Sequence, residues 1–175
     1  MKILFTTILF FLTIITNAQT LQGEWKFEKM KLAGEMIYFD NSEKDQKNLI
    51  NSWIKMMTKY LYEKSEIKEI KKNINDNKAL VYASAKEQFA GIIDFKGTKD
   101  VYNGSDEGKI YFNDLNKDEK MELVESKIQI KYNVLELVDK KLFDARRYNL
   151  LLNGNKLILT DFDKPPMVIY YERKH

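Results

Sequence analysis

Short stretches of alternating polar and apolar residues, punctuated by Gly- and Asn-containing turns and interrupted once by helical spacing, predict a mainly β protein. The expected architecture is an antiparallel sheet or barrel with a helical insertion after the second strand. Three observations carry this. From Lys127 to Val134 the polar Lys127, Gln129, Lys131 and Asn133 alternate with Ile128, Ile130, Tyr132 and Val134, as a half-buried antiparallel strand requires. Asn153-Gly154 separates the apolar runs Leu150 to Leu152 and Leu157 to Thr160, and this pair supplies the positive φ values of tight hairpin turns. Residues at helical spacing are gathered in one block at about 42–89, so helices and strands are segregated rather than alternating as βαβ units.

Taken in order, Leu21, Gly23, Trp25 and Phe27 oppose Glu24, Lys26 and Glu28, and the parity changes near Met30; this is a strand with a bend or bulge. Ala33-Gly34 turns it into a second short strand, Glu35 to Phe39. Ser42, with Asp45 three residues on, forms a variant of the capping box that opens helices. Ile50, Trp53, Ile54, Met57 and Leu61 then form one apolar stripe over about 43–62. A second helix is expected from Ser65, with Ile67, Ile70 and Ile74 inward, and a third over 78–89. Ile92 to Phe95, a Lys96-Gly97-Thr98 turn and Asp100 to Asn103 read as a hairpin. Gly108 to Phe112, Met121 to Val124, the Lys127 run, the Asn-Gly hairpin and Met167 to Arg173 complete six to eight later strands.

Composition bounds the remaining possibilities. Met1 to Ala18 carries one charge at Lys2, an apolar run from Ile3 to Ile15 and a small-residue exit at Thr16-Asn17-Ala18. That is the form of a cleavable export signal, and the run is shorter than the roughly 20 residues of a membrane-spanning helix. The expectation is a single domain at 19–175, without a membrane anchor, acting in the periplasm or secreted. There is no Cys, and the sole histidine is His175, so disulfides and Ser-His, Cys-His or zinc chemistry are not expected. Acids and bases, 26 against 29, are interspersed, which disfavours nucleic acid; Lys71-Lys72 and Arg146-Arg147 are too short for a basic stripe. Asp114, Asn116 and Asp118 with Glu125 have the oxygen spacing of a calcium loop, but Glu119 stands where glycine is required, so no metal and no cofactor is expected.

The termini carry a resemblance. Leu21-Gln22-Gly23-Glu24-Trp25 resembles the G-x-W opening of the lipocalins and of lipocalin-like proteins of bacterial envelopes. Asn153-Gly154-Asn155-Lys156-Leu157-Ile158-Leu159-Thr160 with Tyr170-Tyr171-Glu172-Arg173 is similar to the final hairpin of that group. The resemblance implies a lipocalin-like barrel with Arg173 packed over the Trp25 ring as a closure pair, worth about 0.5 to 2 kcal/mol. It also implies a non-catalytic binding protein for a small apolar molecule within the barrel or at its mouth. The block at 42–89 departs from the simple eight-stranded pattern.

On that basis Phe27, Tyr38, Tyr102, Tyr111 and Tyr132 are candidate ligand-binding wall residues by strand position; the alternative is ordinary core and half-buried rings. Trp53, Met56, Met57, Tyr60 and Leu61 form either a lid or simply core. The competing functional expectation is a protein-interaction or envelope-structural module with a filled core.

Overall fold

The computed structural model describes residues 20–59, 61–98, 105–115, 120–142, 145–164 and 166–174. The export signal expected at 1–18, the strand expected at 100–103, Tyr60, Tyr102 and His175 lie outside them. The described elements run β1 (Gly23–Leu32), β2 (Glu35–Ile37), α1 (Glu43–Thr58), α2 (Lys64–Asp76), α3 (Lys78–Phe89), β3 (Ile92–Lys96), β4 (Ser105–Leu115), β5 (Met121–Lys131), β6 (Val134–Leu137), β7 (Arg147–Asn153), β8 (Lys156–Asp161) and β9 (Val168–Arg173). No helix among the described residues is long and apolar enough to cross a membrane.

The sheet closes on itself. Neighbouring strands pair antiparallel from β3 through β9, and β9 returns to β1, giving an eight-stranded antiparallel barrel of β1 and β3 to β9. The ninth strand, β2, explains how a helical block fits into such a wall. β2 pairs with Met30 to Leu32 of β1, whereas β3 pairs with Gly23 to Lys26 on the same β1 edge, and both run antiparallel to β1. They are two halves of one wall position, and the helices are spliced between them. The other edge of β1 belongs to β9, with a register shift between Phe27 and Lys29. This bulge restores the inward parity, so that Trp25, Phe27, Met30 and Leu32 all face the core.

Turn chemistry sets the registers. Ala33 (φ 48°) and Gly34 (φ 98°) make the first hairpin. The alternation expected to run unbroken to Val134 instead stops at Lys131. Tyr132 (φ 50°) and Asn133 (φ 62°) form a two-residue turn with Lys131 opposite Val134, the left-handed pair that suits the twist of a hairpin. β3 pairs with Lys109 to Tyr111 of β4, and β4 with β5 form an eleven-pair hairpin from Ser105 opposite Lys131 to Leu115 opposite Met121. In the last hairpin Gly154 (φ 59°) and Asn155 turn between Asn153 and Lys156, one residue later than the sequence suggested.

Ser42 caps α1, its hydroxyl accepting from the Asp45 N–H at 3.2 Å. The Asp45 carboxylate does not reach back to Ser42 as a capping box would. It accepts from the N–H groups of Tyr38 (2.7 Å) and Phe39 (2.8 Å) and from the Tyr82 hydroxyl (2.8 Å), so one buried carboxylate ties α1, α3 and the end of β2 together. Burial and this carboxylate push the Tyr82 hydroxyl up to about 12. Ser52 of α1 donates to the Leu32 carbonyl at 2.9 Å and Asn48 to the Met36 carbonyl at 3.0 Å. α2 starts at Lys64 rather than Ser65 and buries only Ile74.

Candidate ligand cleft at the barrel mouth

The two ends of the barrel differ. At one, Trp25 pairs with Arg173; the guanidinium lies 4.4 Å from the centre of the indole ring. Arg173 donates to the carbonyls of Gln22 (2.9 Å) and Thr20, and the indole N–H donates to the Leu21 carbonyl at 2.8 Å. This end is closed by the segment Thr20 to Gln22 that leads into β1. At the other end a train of rings crosses from the barrel to the helices. Phe27 lies 5.5 Å from Phe39, and Phe39 lies 5.6 Å from Tyr82 and 6.4 Å from Phe89, centre to centre.

Between these plugs the interior is filled. Leu135, Leu157, Leu159, Tyr148, Ile169 and Tyr171 are each 0 % exposed, and Leu150 and Leu152 are 3 %. A space wide enough for a water molecule would leave accessible surface on the side chains around it, and these show almost none. Alternating Leu, Ile and aromatic side chains from eight strands are enough to occupy a barrel of this size. Among the described residues, the interior, one of the two places expected for a ligand, is occupied by side chains.

The proposed wall residues scatter accordingly. Phe27 is a core ring, 8 % exposed, in contact with Phe39 and Tyr171. Tyr38 is half exposed beside the start of α1. Tyr111 points outward from β4, its hydroxyl donating to the Glu125 carboxylate at 2.5 Å, which Lys109 also meets at 2.7 Å; these partners hold Glu125 below the ordinary carboxylate range. Tyr132 stands at a hairpin tip, 76 % exposed, because the turn reverses the parity that placed it inside. Glu125 is thus engaged in a surface ion pair, and no cluster of three or more metal-ligating side chains occurs among the described residues.

A cleft of about 320 Å³ lies at the mouth, where α1 and α3 overhang β7, the end of β8 and the approach to β9. Leu32, Trp53, Met56, Phe89 and Met167 provide its apolar lining, with Phe162 at the rim. Trp53 and Met56 belong to the helical stripe that admitted a lid reading, whereas Met57 turns out to solvent, 53 % exposed. The polar lining is Arg146, Arg147, Asp161 and Asp163 with Gln88. Asp161 is buried and accepts from the N–H groups of Met167 (2.9 Å) and Asp163 (3.2 Å), which shapes the loop between β8 and β9. Burial raises its carboxyl above the ordinary range in spite of those bonds. Asp163 meets the Lys59 ammonium at 3.5 Å, and the Arg147 guanidinium covers the Phe162 ring at 5.4 Å.

No protein-family model, curated protein or solved structure matches this chain. The closed antiparallel barrel is consistent with a lipocalin-like fold, and the cleft must be read from its own residues. Sequence reasoning singled out Trp53 and Met56 but missed Phe89, Phe162, Met167 and the two arginines. The available signal was Arg146-Arg147 next to aromatic and Met positions on either side of the Lys164-Pro165-Pro166 loop, and it became meaningful only once the barrel brought residues 145–147 and 161–167 side by side.

Proposed function

We propose that this chain is a non-catalytic, lipocalin-like binding protein, acting outside the cytoplasm, that holds a small molecule with an apolar body in the mouth cleft. The observation that carries this reading is the contrast between a filled barrel and an indentation lined by Trp53, Met56, Phe89 and Met167. The volume lies at the lower bound of ligand pockets, roughly 300 to 1,000 Å³. Met and aromatic side chains adapt to the shape of an apolar guest. The export reading rests on Met1 to Ala18, and an envelope or secreted setting follows from it.

Native mass spectrometry of the protein, produced with its own first eighteen residues in an exporting host, tests this. A mass excess that disappears on denaturation, with Trp53→Ala abolishing it, supports the reading. A bare mass, together with no change in melting temperature across a panel of apolar molecules, refutes it.

A second reading has one observation in its favour. The filled core suits an interaction or envelope-structural module, and the helical block exposes Met57, Tyr62 (94 %) and Leu80 (67 %) to solvent. Concentration-dependent self-association or a stable partner lost on Tyr62→Ser with Leu80→Ser would favour it.

A further inference from the structure

We infer that the mouth cleft selects small organic anions, an apolar body resting on Trp53, Met56 and Phe89 while the anionic head is held by Arg146 and Arg147. This rests on reading the cleft as a ligand site and adds the chemical class of the ligand.

The cleft holds charges of both signs, and only some of them are already engaged. Its two carboxylates both have donors: Asp161 takes the Met167 and Asp163 N–H groups, and Asp163 faces Lys59. Among the described residues the two guanidinium groups have no acceptor. Both arginines are exposed, and neither forms an ion pair with a carboxylate among the described residues. Arg147 is held by its stack on Phe162. Such a stack uses the face of the guanidinium and leaves the N–H edge free for a two-pronged bond to a carboxylate. Among the described residues around the cleft, Arg146, Arg147 and Lys59 stand against Asp161 and Asp163, so the local charge favours an anion. A neutral apolar guest would gain nothing from the arginines, and a cationic one would meet them.

A matched pair of probes, decanoate and decan-1-ol, separates the contributions of head and body. Binding is read by the fluorescence of Trp53, with Trp53→Phe as the control that assigns the signal, and by calorimetry. Decanoate should bind at least tenfold more tightly than the alcohol, a difference of about 1.4 kcal/mol. In R146A/R147A that preference should vanish while alcohol binding stays within twofold. R146Q/R147Q serves if the alanine variant melts early. Equal affinity of the two probes, or a preference for decanoate that survives loss of both arginines, overturns the anion inference but leaves the cleft as a ligand site. Failure of both probes to bind the parent protein overturns the site itself.

Discussion

Removing the Arg173 side chain should cost this fold a substantial part of its stability, although only Lys174 and His175 follow it in the sequence. Its guanidinium covers the fully buried Trp25 ring at 4.4 Å and donates to two backbone carbonyls, those of Gln22 and Thr20. The stack contributes about 1 kcal/mol. Each charged donor adds roughly 1.5 kcal/mol or less, since the Gln22 bond is exposed. Arg173→Ala should therefore lose about 2 to 4 kcal/mol, against a total of roughly 5 to 15 for a domain. Arg173→Lys should recover about half, because an ammonium keeps the charge but neither the planar stack nor the fork of donors. Urea unfolding followed by circular dichroism and Trp fluorescence gives the numbers directly. An Arg173→Ala protein within about 0.5 kcal/mol of the parent at unchanged slope would show that the stacked arginine does not hold this end of the barrel together.

Other sites give separate tests. Asp45→Ala leaves the Tyr38 and Phe39 N–H groups and the Tyr82 hydroxyl without their acceptor and should destabilise by about 2 to 4 kcal/mol in thermal melts, while Tyr82→Phe, losing the bond to Asp45 and the one its hydroxyl accepts from the Asn41 N–H, should cost about 1 to 2 kcal/mol. Asp161 has a raised carboxyl pKa because it is buried, so the folded state holds its proton more tightly than the unfolded chain. The cost of its ionisation is absent at about pH 3 and fully present above the raised value. Asp161→Asn keeps an acceptor for both N–H groups, so it should be more stable than the parent at pH 7 and lose that advantage towards pH 3; a gain independent of pH would count against the assignment. Gly108→Ala puts a Cβ 2.7 Å from both the Lys96 carbonyl and a Thr98 methyl, which should lower stability by about 1 to 3 kcal/mol in a urea titration.

Much of the barrel could be read from local pattern. The β1 parity change became a bulge, Ala33-Gly34 a hairpin turn, and the helical spacing of 78–89 an α-helix, because each is decided by a few adjacent residues. Trp25 and Arg173, far apart in sequence, carried their signal in position and residue type, and they stand stacked at one barrel end. The Tyr132-Asn133 turn was hidden because neither residue is glycine, and the apolar alternation continues across it into Val134. That single reversal moves Tyr132 from the expected interior to the surface. The splicing of the helices into one wall position was also out of reach, since it depends on β2 and β3 sharing an edge of β1. The cleft is assembled from β1, two helices and the segments before β7 and after β8, a juxtaposition no local spacing encodes.

The proposed binding site places a guest at the mouth and not inside. Methyl-resolved NMR of the protein titrated with decanoate addresses it most directly. The methyls of Met56 and Met167, which line the cleft, should shift in a saturable way, while those of Leu152 and Leu157, near the end that Trp25 and Arg173 close, should stay still. Saturable shifts at Leu152 and Leu157 would mean that the barrel opens to admit the ligand, against a site confined to the mouth.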